Sequence, residues 1–128
     1  MASQFDMIQR QILERQDKIF RGAFIQLSSM TVNNWPVDTG YSKASWIFAT
    51  GAPSNKVATD FDKSSNPMDS IKSEVRDFKI GQAGYMTNAT AHAVPLEFGH
   101  SAQAPNGAVR KYAAQWQQIN DKIARAIR

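Results

Sequence analysis

Three residues with chemical potential lie close together in this chain: His92, Glu97 and His100, within a segment from Ala91 to Val109 that also holds two prolines and two glycines. Two imidazoles and a carboxylate are donors of the type that bind metals or move protons. Their spacing matches no recognised ligand pattern, however, and no partner can be named for the ring nitrogens. No serine stands in a Gly-x-Ser-x-Gly turn, so a nucleophile for His100 is missing. Gly81-Gln82-Ala83-Gly84 lacks the Lys-Ser/Thr that completes a phosphate loop. Asn88-Ala89-Thr90 fits a glycosylation tripeptide, which has no meaning without export. The residues therefore predict no catalytic group, no cofactor and no metal: a protein that is not an enzyme.

Glu97 asks for a different explanation. It stands between Pro95-Leu96 and Phe98-Gly99, apolar and turn-forming neighbours that leave a carboxylate near the domain edge in need of partners. Two readings are open: a brace accepting backbone N–H groups around Gly99 to Ser101, or an ion pair with an arginine of a neighbouring subunit.

The chain has 128 residues and no cysteine, so one domain, spanning residues 1–128, must hold together by packing or by association rather than by disulfides. No apolar run reaches the roughly 20 residues of a membrane span, and the start MASQFDMIQRQ has no basic-then-apolar layout. Residues 1–34 carry four basic and three acidic groups, residues 35–108 six and seven, and residues 109–128 five and one. The net charge of +4 thus resides in the last segment, on Arg110, Lys111, Lys122, Arg125 and Arg128. Those cations could face DNA or an acidic partner, or simply complement a helix C-terminus on a solvated face. Trp35, Trp46, Trp116, Tyr41, Tyr85 and Tyr112 do not interleave with basic residues, as a single-strand binding platform requires, and read as core or interface anchors.

The elements that position these residues follow from periodicity. Phe5, Ile8, Ile12, Ile19, Ala23, Leu27 and Met30 recur at helical steps, with Ser3 as N-cap, predicting a helix from Gln4 to about Met30. At about 1.5 Å per residue it would be about 40 Å long, whereas a domain of this size has a radius of gyration near 14 Å. The helix must bend, with Gly22 the natural place, or overhang and need a neighbouring subunit to cover Phe5 and Ile8. Thr31 to Tyr41 is turn-rich, and alternation of Ala44, Trp46 and Phe48 predicts a strand within Ser42 to Thr50. Residues 51–70 form a long loop excursion broken by one candidate strand, Val57 to Phe61. Pro67 to Val75 reads as a short helix capped by Asn66, and Phe78 to Ile80 and Tyr85 to Asn88 as a hairpin through Gly81–Gly84. Val109 to Ile127 returns to helical spacing. The expected fold is α+β, a small antiparallel sheet packed by long N- and C-terminal amphipathic helices.

Read in order, Val37-Asp38-Thr39-Gly40, Ser45-Trp46, Asn88, Ala91 to Ser101 (containing Pro95-Leu96-Glu97-Phe98-Gly99-His100) and Gln103-Ala104-Pro105-Asn106-Gly107 resemble a family of small tail components of long-tailed bacteriophages, the neck or tail-completion proteins. The likeness spans roughly residues 35–109. It departs from the family pattern at Ala91 to Pro95, where relatives often have Asn-Pro-Tyr-Ala, and at Tyr41-Ser42-Lys43, where an Arg often follows Thr-Gly; Lys43 keeps a positive charge nearby.

The resemblance implies a structural virion protein of the neck, made in the host bacterial cytoplasm, that completes the tail and joins it to the head-side connector. It implies a homo-oligomeric ring around the DNA channel, of six subunits or alternatively twelve, contacting connector, tail-terminator or tail-tube proteins and packaged double-stranded DNA, with no membrane partner. The alternative is the tail-terminator ring that caps the tail tube; a DNA-binding adaptor unrelated to virions stands behind both. The family motif marks Asp38, Thr39, Gly40, Trp46, Pro95, Leu96, Glu97, Phe98, Gly99, His100, Gln103, Pro105 and Gly107 as subunit or neck interface, and Lys122, Arg125 and Arg128 are the candidate contacts to DNA or an acidic partner.

Overall fold

A computed structural model describes residues 3–127. Its first element, α1 (Gln4–Asn33), opens on a reciprocal cap: Ser3 Oγ accepts the Asp6 N–H, and the Asp6 carboxylate accepts the Ser3 N–H. It closes where Asn34 returns its side-chain amide to Met30 O, with Trp35 N–H bonded to Val32 O. The helix outruns the predicted end by three residues because Thr31 and Val32 are buried against the core. It also runs unbroken through Gly22. That glycine serves a close approach instead of a break: a Cβ there would stand 3.0 Å from Ile123 Cγ2. Of the two solutions to its length, α1 takes the overhang, with Phe5, Met7, Ile8, Ile12 and Leu13 each at least half exposed.

After α1, the one-turn helix α2 (Tyr41–Ala44) leads into β1 (Trp46–Thr50), so the predicted strand is shorter than Ser42–Thr50. Trp46 and Phe48 point into the core, as the alternation requires. The helix α3 (Met68–Val75) follows the long excursion, and buries Met68, Ile71 and Val75 on one face. Asn66 Oδ1 accepts the Met68 N–H, which does the capping expected of it, although Pro67 occupies the cap position itself.

The sheet pairs differently from the sequence expectation. Its second strand, β2 (Gly84–Asn88), runs antiparallel to β1 with Phe48 opposite Met86 and Trp46 opposite Asn88, and Phe78–Ile80 forms no strand. The backbone of that stretch is spoken for: Arg21 donates to Phe78 O, Ile80 N–H donates to Asp17, and Lys79 and Gln82 close a turn. Phe78 is instead a buried wedge, and Gly84 lacks a side chain where a Cβ would come within 2.6 Å of the Phe78 ring. Val57–Phe61 likewise forms no strand. Ala58 N–H is taken by Ser45 Oγ, and Phe61 lies against Tyr41 with ring centroids 5.2 Å apart.

A two-stranded sheet is marginal alone, and here α1 and α3 cover it. Phe24, Phe48 and Phe78 meet with centroids 5.3 to 5.9 Å apart, Phe20 adds to this cluster 5.2 Å from Phe78, and Trp35 meets Trp46 edge-on at 5.2 Å. Contacts of this kind add about 0.5–1.5 kcal/mol per pair beyond area burial.

The C-terminal part begins with another one-turn helix, α4 (Ala93–Glu97), inside the segment that holds two prolines and two glycines. Pro95 is tolerated in its first turn, where backbone donors lack acceptors anyway. Gly99, at φ 89°, ends it in a left-handed cap: His100 N–H bonds Pro95 O and Gly99 N–H bonds Leu96 O. The predicted terminal helix is split into α5 (Val109–Ala113) and α6 (Trp116–Ala126), with a tight turn in which Gln115 N–H bonds Tyr112 O. The halves are anchored at different places: α5 is held by Glu97, and α6 lies along α1. Arg15 of α1 donates to Ala124 O and Ile127 O, capping the carbonyl end of α6. The architecture is α+β as expected, and no described helix is long and apolar enough to cross a membrane.

Candidate functional site

The two segments singled out in the sequence, Trp35–Trp46 and Ala91–Val109, are distant in the chain and adjacent in space. They form the walls of an open cleft of about 480 Å³, with Val37 to Ser42 on one side and His92, Pro95, Leu96, His100 and Gln103 on the other. Gln103 joins the walls directly. Its Oε1 accepts the Val37 N–H at 3.0 Å and its Nε2 donates to Val37 O at 2.9 Å, so one side-chain amide occupies both backbone groups of a residue 66 positions earlier.

Beneath the cleft lies a polar knot. Asn88 Nδ2 donates to Ser42 O at 2.7 Å, while Asn88 Oδ1 accepts from the hydroxyl and the N–H of Thr90. Ser42 Oγ accepts from Trp35 Nε1 at 2.9 Å and lies 3.2 Å from Thr90 Oγ1. These bonds tie the turn after α1, the helix α2 and the end of β2 into one unit. Ser42 and Thr90 carry no signal in the sequence that would select them; Asn88 does, as a member of the family pattern.

Glu97 is the electrostatic centre of the second wall. Its Oε1 accepts the N–H groups of Ala108 and Val109, both at 2.8 Å, and its Oε2 accepts the Arg110 N–H at 3.0 Å and Arg110 Nε at 2.9 Å. The carboxylate therefore caps α5, whose first N–H groups have no partner within the helix. Burial by itself would raise its pKa, but the N–H groups of Arg110, Ala108 and Val109 and the Arg110 guanidinium outweigh it and hold the carboxyl below the ordinary value. Of the two readings of Glu97, the brace is present but displaced: it holds residues 108–110, not 99–101. The arginine it pairs with belongs to the same chain. Arg110 also stacks over Phe98, 4.4 Å from the ring centroid, and donates to Glu97 O, so this cation of the basic end is engaged within the joint.

Two glycines make the joint possible. Gly107, at φ 75°, leaves the space in which Glu97 lies, since a Cβ would fall 2.7 Å from its Cδ; at Gly99 a Cβ would collide with Pro105 O. Gly40, at φ 91°, sits in the same way against Asp62 O of the long excursion. There Asp62 accepts from the Ser64 hydroxyl and N–H and from Ser65, which lowers its carboxyl pKa despite some desolvation.

The motif residues divide by exposure. Asp38, Thr39, Phe98, His100, Gln103 and Pro105 are exposed, Pro95, Leu96, Glu97 and Gly99 are half-buried, and Gly40, Trp46 and Gly107 are buried. Trp46, expected among interface residues, packs inside the core against Trp35 and contributes through that packing. His92 and His100 both border the cleft. Among the described residues no three His, Asp or Glu side chains gather at metal-ligand spacing. Lys122 and Arg125 are exposed on α6, where Arg125 Nε donates to Asp121 O, and Arg128 lies outside the described residues.

No protein-family model matches the chain, and neither do the curated proteins or the solved structures with which it was compared.

Proposed function

We propose that the protein is a structural component of a bacteriophage neck, completing the tail and joining it to the head-side connector as one subunit of a ring around the DNA channel. One observation carries the reading. The residues that bear the family resemblance, though split between two distant segments, build a single joint that Gln103 staples to Val37 and that Glu97 locks onto α5. An arrangement of this kind fixes the direction of a helix, which suits a subunit that must repeat at a constant angle around a ring. Catalysis does not enter the proposal: the side chains that build the joint, Glu97 and Gln103, are taken up by residues 108–110 and by Val37.

In the ring, exposed motif residues such as Phe98 and His100 meet neighbouring subunits or connector proteins, and Lys122, Arg125 and Arg128 face DNA or an acidic partner. A ring multiplies each cation by its number of subunits, which strengthens a salt-dependent attraction to duplex phosphates.

The test is electron microscopy of particles from a phage lacking this chain. Finished tails of normal length that fail to join filled heads support the neck reading. Tails of abnormal length would transfer the chain to the terminator position, and normal infectious particles would remove it from the virion. Complementation with Lys122, Arg125 and Arg128 neutralised together tests the channel contact, which is lost as a proposal if joining and DNA retention are unchanged.

A further inference from the structure

The overhanging start of α1 carries an apolar stripe that the fold leaves uncovered. Phe5 is 73% exposed, and Ile8 and Ile12 are each 53% exposed. Their steps of three and four continue through Arg15 and Ile19, the run that α6 reaches. In a heptad description Phe5 and Ile12 take position a, and Ile8 and Arg15 position d. The stripe is thus the continuation of a helix-packing face from which α6 has run out.

The helix is also fixed at its tip. Ser3 and Asp6 cap it reciprocally although none of the described residues outside α1 packs on that end. A single exposed helix end has little to hold it helical without tertiary contact.

The residues flanking the stripe indicate what covers it. The e and g positions are Gln9, Gln16, Gln4 and Gln11, exposed and uncharged. An identical helix laid on the stripe therefore brings no like charges together at the positions that normally select or reject a partner.

Orientation follows from α6. A parallel second helix would run into α6 after residue 14, whereas an antiparallel one runs away from α6 and passes the Ser3 end of α1, where no other described element stands. Antiparallel pairing centred on residue 10 sets Ile8 against Ile12 of the other copy, twice. It sets Phe5 over Arg15, an aromatic ring over a guanidinium. It also brings the positive N-terminal end of α1 to the negative C-terminal end of the other copy's α6.

We propose that the chain forms a two-fold symmetric dimer through residues 4–16 of α1, paired antiparallel with the same segment of a second copy. The inference rests on this face alone and holds whether or not the neck reading does.

The test uses the full-length chain. Sedimentation should give twice the chain mass at high concentration and the single mass on dilution. Ile8→Glu and Ile12→Glu, at exposed positions, should each yield the single mass with unchanged thermal unfolding of the diluted protein. Because the chain has no cysteine, Gln11→Cys reports on geometry: close to the two-fold axis, it should be joined to its own copy by a short thiol cross-linker, whereas Gln4→Cys should not. A wild-type chain that stays monomeric at all soluble concentrations overturns the proposal. So does an oligomer indifferent to Ile8→Glu and Ile12→Glu, which would point to another face. Cross-linking at Ile8→Cys but not at Gln11→Cys would overturn the antiparallel order.

Discussion

Replacing Glu97 with alanine removes the acceptor of three consecutive backbone N–H groups, from Ala108, Val109 and Arg110, together with the ion pair to Arg110. The ion pair is the smaller loss. The Arg110 side chain is 59% exposed, and solvent screening limits such a pair to about 1 kcal/mol or less. The backbone part resembles the loss of a helix N-cap, about 0.5–2 kcal/mol, with an added penalty because Ala108 is fully buried and its N–H has no ready replacement partner. A donor stranded in that way costs about 1–3 kcal/mol. The middle of the summed ranges predicts a destabilisation of about 2–4 kcal/mol for Glu97→Ala. For a chain of this size that is a fall in Tm of about 8–15 °C.

Urea unfolding and calorimetry at neutral pH measure the loss directly. Arg110→Ala should cost under about 1 kcal/mol in the same assay, separating the cap from the ion pair. The effect also has a pH signature. The folded-state pKa of Glu97 lies below its ordinary value, so its contribution is fully present above the unfolded carboxyl pKa and disappears as pH falls through the lower, folded one. The stability gap between wild type and Glu97→Ala should therefore stay constant from neutral pH down to about pH 5 and narrow at more acidic pH. A variant within about 0.5 kcal/mol of wild type at pH 7 would refute the claim that this carboxylate holds α5 in place.

Gly107→Ala should be far more damaging than Gly51→Ala, by more than about 2 kcal/mol. Both have positive φ, but an added Cβ meets Glu97 at Gly107 and nothing within 4 Å at Gly51; equal losses in a thermal melt would contradict the close-approach argument. Gln103→Ala removes both bonds to Val37, each worth about 0.5–1.5 kcal/mol, and faster amide exchange should be confined to the neighbourhood of Val37. Arg15→Ala uncaps α6 at Ala124 and Ile127; the expected loss is about 1 kcal/mol or less, with faster exchange in the last turn of α6 and no change in α3.

Elements with a long apolar period were legible from the chain alone. The spacing from Phe5 to Met30 gives α1 its face, Ser3 its start, and Met68, Ile71 and Val75 the inner side of α3. The α+β class follows from helical runs flanking short alternating ones. These are local properties: a period of 3.6 or 2 and a capping side chain act on neighbours a few residues away.

Other features depend on residues far apart in sequence, and only the tertiary structure decided them. Phe78–Ile80 has the composition of a strand, but Asp17 and Arg21 of α1 engage its backbone, leaving β2 to pair with β1. The break between α5 and α6 falls at Ala114 and Gln115, residues that favour continuation of a helix, and α5 and α6 are tied down by different partners. For Glu97, its neighbours announced a carboxylate needing partners, but which N–H groups would reach it depended on Gly107 turning the chain back. A side chain's need for hydrogen bonds is written in its own chemistry; the identity of the donor is set by the fold that brings a distant backbone within 3 Å.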